Sequence, residues 1–157
     1  VLTSGLHHIA TLTADADRLC AFYREVFDAE VVRDGPEGAG EDGVRLAVIR
    51  LGPAAELNVF QVDGVPPPPP AGMFARGRLD HFGLMAASLE AFEAIRDRLI
   101  ARGAADAFVT DFGPVLSLFF RDPDGLEGEV CVVNPDARPG VAHPPGTPSA
   151  RYVVQLG

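Results

Sequence analysis

One short pattern is written twice in this chain of 157 residues: "LHHIATLT" at Leu6–Thr13 and "LDHFGLMA" at Leu79–Ala86. Residue 8 meets residue 81, an offset of 73, and the same offset lays Leu6 on Leu79 and Ala14 on Ala87. Each copy runs into a segment of helical period, "DADRLCAFYREVFDAE" in the first and "SLEAFEAIRDRLIARGA" in the second. A repeat of this kind constrains the fold more than any single residue, because both copies must be the same supersecondary unit. Leu19, Phe22, Tyr23 and Val26 recur at i, i+3, i+4 and i+7, and Leu89, Phe92, Ile95 and Leu99 do nearly the same. Asp15 and Ser88 stand at N-cap positions, and Gly103 at a helix stop.

Further on, residue 44 meets residue 115, an offset of 71, as a small deletion in a loop would produce. "VRLAVIRLGPAAELNVFQV" from Val44 then overlays "VLSLFFRDPDGLEGEVCVV" from Val115, with Arg50 on Arg121 and Asn58 on Glu129. Two apolar runs around a Pro/Gly turn read as a hairpin, and Val31-Val32 and Phe108-Val109 supply one more short strand after each helix. Each half is therefore β-α-β-β-β, and the class is α+β: tandem βαβββ modules at residues 5–62 and 78–134. The segment 63–77 carries five consecutive prolines, Pro66 to Pro70, which suit neither a helix nor a central strand and read as a stiff linker. The tail, residues 135–157, is rich in Pro and Gly before the apolar "YVVQL" and is expected to wrap a surface or add an edge contact.

Composition removes several classes. An apolar fraction of 47% with 22% charged residues is that of a globular protein. Twenty-two acidic against thirteen basic residues give a net charge of -9, a field that repels nucleic acid and anionic lipid. No run approaches the roughly 18 to 20 apolar residues of a membrane span, and no basic segment precedes an apolar signal core, so a cytoplasmic protein is expected. Cys20 and Cys131 form no CxxC pair and read as free thiols. Neither a GxGxxG nor a Walker sequence occurs, Ser88 and Ser117 lie in no nucleophile elbow, and "DPDG" lacks the ligand register of a calcium loop.

What remains is a constellation set by the repeat. A strand alternates its faces, so His8, Ala10 and Leu12 share one side, and Glu127, Glu129 and Cys131 share another. A carboxylate at Glu129 among Val130, Cys131, Val132 and Val133 would be costly to bury without a partner. Two imidazoles from equivalent strands, His8 and His81, together with that carboxylate make a natural divalent-metal site with positions open to water and substrate.

The segments "LHHIATL", "AFYREVFDAEVV", "LDHFGLM" and "FFRDPDGLEGEVCVV", covering most of residues 5 to 134, resemble the vicinal oxygen chelate superfamily, the glyoxalase, bleomycin-resistance and extradiol-dioxygenase group. The resemblance implies eight strands curved into an open cup, a homodimer, and metal ligands at His8, His81 and Glu129. At the fourth position it places Asn58, where glyoxalases carry glutamate; Glu56 and Gln61 are nearby alternatives. The implied cofactor is a divalent ion, Fe, Mn, Zn, Ni or Co. The implied chemistry is an isomerase, lyase, epimerase or oxygenase reaction on a small vicinal-oxygen substrate through a stabilised enolate, with Glu127 or Glu56 as base. Few further His or Tyr groups are present, which disfavours the oxygenase branch. The alternative is a metal-free protein of the bleomycin-resistance type that sequesters a ligand, the acidic surface suiting a cationic guest.

Other polar residues read structurally. His7 faces away from His8 and serves the strand start; Tyr23 packs in the core; Arg50 and Arg121 close their hairpins, the latter against Asp122 or Asp124. His143 lies in the Pro/Gly tail, exposed unless that tail folds over the cup mouth. Glu127 is equally well a charged strand end beside the turn.

Overall fold

The computed structural model describes residues 1–38, 43–66, 75, 77–106, 108–137 and 150–153, the last four by backbone alone. The chain divides into two compact units, Val1–Pro68 and Pro69–Gly157. Of the proline run only Pro66 falls among the described residues, and His143 lies outside them.

The first unit runs β1 (His8–Thr13), α1 (Ala16–Phe27), β2 (Glu30–Glu37), β3 (Val44–Arg50) and β4 (Glu56–Gln61). Its open sheet has the order β1-β4-β3-β2, with β1 parallel to β4 and the other pairs antiparallel. Local chemistry begins the helix where expected, the Asp15 carboxylate accepting from the Arg18 amide at 3.0 Å, and Asp28, at φ 51, closes it by donating its backbone N–H to the Tyr23 carbonyl. Leu19, Tyr23 and Val26 are wholly buried, as are Ala47, Ile49, Leu57 and Val59 of the sheet. Gln61 and Arg45 mark the helix side of that sheet, because Gln61 Oε1 accepts from the Ala16 amide and Arg45 reaches Asp17 at 2.7 Å and Asp34 at 2.8 Å. The Arg45 guanidinium holds both carboxyls below their usual range.

The second unit repeats the plan: β5 (Phe82–Met85), α2 (Leu89–Ala101), β6 (Phe108–Asp111), β7 (Val115–Arg121) and β8 (Glu127–Val133). β5 is parallel to β8, and the order β5-β8-β7-β6 copies the first sheet. The tail adds a ninth strand, β9 (Ala150–Val153), antiparallel on the outer edge of β6, which is an edge contact of the kind its apolar ending suggests. The Ser88 hydroxyl accepts from the Ala91 amide at 3.1 Å, and Gly103 stops α2 at φ 64.

Two local readings change. On α2 the buried face is Phe92, Arg96 and Leu99, not the run through Leu89 and Ile95; Leu89 is exposed, and Arg96 is buried with Nη1 3.1 Å from Glu93. A long arginine can cover apolar surface with its stem and still satisfy its head. At the β7–β8 turn Arg121 is engaged by a carboxylate the sequence reading did not name for it: its Nε lies 2.7 Å from Glu127 Oε2. Asp122 instead folds the turn itself, its Oδ1 accepting from the amides of Asp124 and Leu126, each at 2.9 Å, with Gly125 at φ 86.

Cys20 is buried in α1, and burial pushes its thiol up. Since only the thiolate reacts, Cys20 is expected to resist alkylating reagents in native protein at pH 8 and to label on denaturation. Rapid native labelling, read by mass spectrometry, would contradict this packing.

Candidate metal centre

The histidines related by the repeat stand at equivalent strand starts. In the first unit the β1–β4 register sets His8 beside Glu56 and Ala10 beside Asn58. In the second, the β5–β8 register sets Gly83 beside Glu129. Asn58 and Glu129 therefore occupy the same rung of their sheets, on the faces turned away from the helices.

The second unit gathers most of the chemistry. His81 Nδ1 lies 2.8 Å from Asp80 Oδ2, which leaves Nε2 pointing at Glu129 Oε2, 3.4 Å away. The other carboxylate oxygen of Glu129, Oε1, accepts from the Ser117 hydroxyl on β7. The Phe119 ring meets His81 edge-on at 5.2 Å between centroids. Glu129 retains only 15% of its side-chain exposure, and the Ser117 hydroxyl supplies part of the compensation that a carboxylate in an apolar strand requires. Cys131 is next on this face; burial, and then the Glu129 charge, push its thiol up to about 11.

The first unit offers a sparser pair. His8 is exposed, with Nδ1 2.9 Å from His7 Nδ1. His7 does not simply face away, because the two rings meet edge-on. Asn58 Oδ1 is buried without a hydrogen-bond partner among the described residues, and an unsatisfied buried acceptor costs about 1–3 kcal/mol. Glu56 lines a cleft of about 320 Å³ together with His7, Arg50 and the β3–β4 turn. Arg50 itself pairs with Glu30 at 2.8 Å. Glu127, by contrast, is buried and held by Arg121.

Among the described residues no group of three or more His, Cys, Asp and Glu side chains is assembled to hold an ion. The candidate donors stand as His81 with Glu129 in one unit, and His8 with Asn58 in the other. Their chemistry fits a divalent metal. Ligand bonds of about 2.1 Å put two donors of one ion roughly 3.0 to 3.4 Å apart, and the unpartnered Asn58 oxygen is an acceptor in want of a cation. Sequence reasoning missed Asp80 and Ser117. Asp80 had a signal, since it precedes His81; Ser117 becomes legible only through the hairpin register that sets it beside Cys131 and two residues from the Glu129 rung.

Two βαβββ units, each with β1 or β5 parallel to β4 or β8, define the class of α+β proteins built by duplication of one open-sheet unit. A family model described as the Glyoxalase/Bleomycin resistance protein/Dioxygenase superfamily matches residues 5–130, and the chain belongs to that superfamily. A glyoxylase/bleomycin resistance protein/dioxygenase domain from Frankia sp. EAN1pec is 25% identical, with a TM-score of 0.67 over 84% of this chain and 99% of its own. A glyoxalase family protein from Enterococcus faecalis is 26% identical, with a TM-score of 0.63 over 83% and 99%. The genomically encoded fosfomycin resistance protein FosX from Listeria monocytogenes, in complex with Mn(II) and sulfate, is 18% identical, with a TM-score of 0.60 over 87% and 98%. No curated protein matches the chain. No helix among the described residues is long and apolar enough to cross a membrane.

Proposed function

We propose that this protein is a metal-dependent enzyme acting on a small substrate with two adjacent oxygens, and that it works as a homodimer. The observation that carries the reading is the line Asp80–His81···Glu129–Ser117, in which every outer atom is engaged and two donor atoms face each other at 3.4 Å. His81 and Glu129 would hold the ion, joined by His8 and, more weakly, by the neutral oxygen of Asn58. Bound there, a divalent metal supplies Lewis acidity for two vicinal oxygens of the substrate.

Of the two candidate bases, Glu56 is the better placed. Glu127 is buried against the Arg121 guanidinium, whereas Glu56 lies beside His8 in register and lines a cleft. Its carboxylate would take the proton next to the substrate carbonyl and return it. The surroundings favour a neutral substrate: Leu12 and Met85 are exposed beside the histidine strands, Phe119 flanks His81, and Arg50 and Arg121 already face carboxylates. The Mn(II) in the FosX relative is consistent with the same use of a divalent ion. Exposed Leu12 (53%) and Met85 (63%) equally suit a metal-free protein that sequesters an apolar guest.

Elemental analysis and a turnover screen of small hydroxycarbonyl compounds separate the two. Protein purified without chelator is expected to carry a stoichiometric divalent metal. Glu56→Gln is expected to keep that metal while losing about 10²- to 10⁴-fold in turnover. Protein that takes up no metal from any divalent salt, yet binds apolar guests, would establish sequestration instead.

A further inference from the structure

The residues immediately before the two strand-opening histidines are related by the same offset of 73 as the histidines themselves, residue 7 against residue 80, yet they differ in chemistry: His7 in one unit, Asp80 in the other. Both put an atom able to accept a hydrogen bond against the following Nδ1. The separation is 2.9 Å from His7 Nδ1 to His8 Nδ1 and 2.8 Å from Asp80 Oδ2 to His81 Nδ1. A neutral imidazole carries one N–H, and the partner at one nitrogen decides which nitrogen keeps it. An ionised carboxylate only accepts, so the proton of His81 belongs at Nδ1 and the lone pair at Nε2. That lone pair then faces Glu129 Oε2 across 3.4 Å with no hydrogen between them, an arrangement that a cation relieves.

We infer that His7 and Asp80 are positioning residues, each setting the tautomer of the histidine that follows so that Nε2 is left as the donor. The inference rests on the metal reading above and extends it to residues outside the proposed ligand set. It also ranks the halves. Asp80 is charged and makes His81 a strong, pre-set donor; His7 is neutral, can itself donate or accept, and leaves His8 less firmly set. Outer partners of this type shift metal affinity by about 10- to 100-fold, and transplanting the carboxylate into the first unit should improve it.

The test uses full-length protein. In the metal-free state, nitrogen-15 NMR of the imidazoles is expected to place the His81 proton on Nδ1 in wild type and in Asp80→Asn, whose amide oxygen still accepts, and to move it largely to Nε2 in Asp80→Ala. His7→Asp is expected to move His8 toward the Nδ1–H form. Competition titration with Zn(II) alone should weaken by about 10- to 100-fold in Asp80→Ala, recover in part in Asp80→Asn, and tighten in His7→Asp. An unchanged His81 tautomer in Asp80→Ala overturns the inference, whatever happens to affinity. Wild type that binds no Zn(II), while the tautomer still answers to Asp80, upholds the positioning role and sinks the metal reading instead. Thermal unfolding of each variant identifies any that lose the fold, and the Asp80→Asn rescue then decides.

Discussion

His81→Ala is expected to abolish stoichiometric metal binding with the fold intact. The imidazole is the hub of the second unit's site: Asp80 engages its Nδ1, Glu129 faces its Nε2, and Phe119 meets its edge. Losing a direct donor should weaken affinity by more than the roughly 10- to 100-fold typical of an outer partner. The side chain keeps 29% exposure and fills no core space, so the unfolding free energy should move by no more than about 1 kcal/mol. Glu129→Ala should be nearly as severe for the metal. Asn58→Ala should be mildest, since a neutral amide is a weaker ligand and its removal also deletes a buried acceptor that has no partner. Calorimetric titration and a denaturant melt on the same preparations give the order. Equal affinity in wild type and His81→Ala would remove this histidine from the site.

The second large effect concerns stability. Gly128 lies on the buried face of β8 with the Phe120 ring directly over it, and a methyl group there would sit 2.2 Å from Phe120 Cζ. Phe120 is 1% exposed and meets Phe82 edge-on at 6.1 Å. Gly128→Ala must therefore push a core ring out of place, at a cost of about 1–3 kcal/mol for overpacking. Phe120→Ala empties the same volume and should cost about 3–5 kcal/mol. Because the added methyl occupies space the ring vacates, the double variant should be less destabilised than the two single effects combined. Additive effects in urea denaturation would mean that the ring does not pack on Gly128. The site depends on this packing: Gly128 is flanked by Glu127 and Glu129, so a displaced β8 carries the Glu129 carboxylate away from His81.

Much of this was legible in the chain because duplication writes a pattern twice. The offset relating His8 to His81 predicted two βαβββ units, and the sheet orders agree strand for strand. Asp15, Ser88 and Gly103 were readable as helix ends since capping is local chemistry. The second offset, 71, set Asn58 at the place of Glu129, and both pair with the residue two positions after the histidine, Ala10 and Gly83. Arg96 was not legible: helical periodicity scores an arginine as polar, while its stem packs like a hydrocarbon. Nor was the Arg121–Glu127 pair, because the turn "DPDG" holds two carboxylates nearer to Arg121 in sequence.

By itself the sequence determined the repeated architecture, the face on which each candidate donor lies and the excess of negative charge, all of which depend on period, composition and local backbone preference. Only the tertiary structure decided which partners those donors have: Ser117 on Glu129, Asp80 on Nδ1 of His81, Arg121 on Glu127 and, among the described residues, none on the Asn58 oxygen. Such contacts depend on strand register and side-chain rotamer, to which distances along the chain are blind.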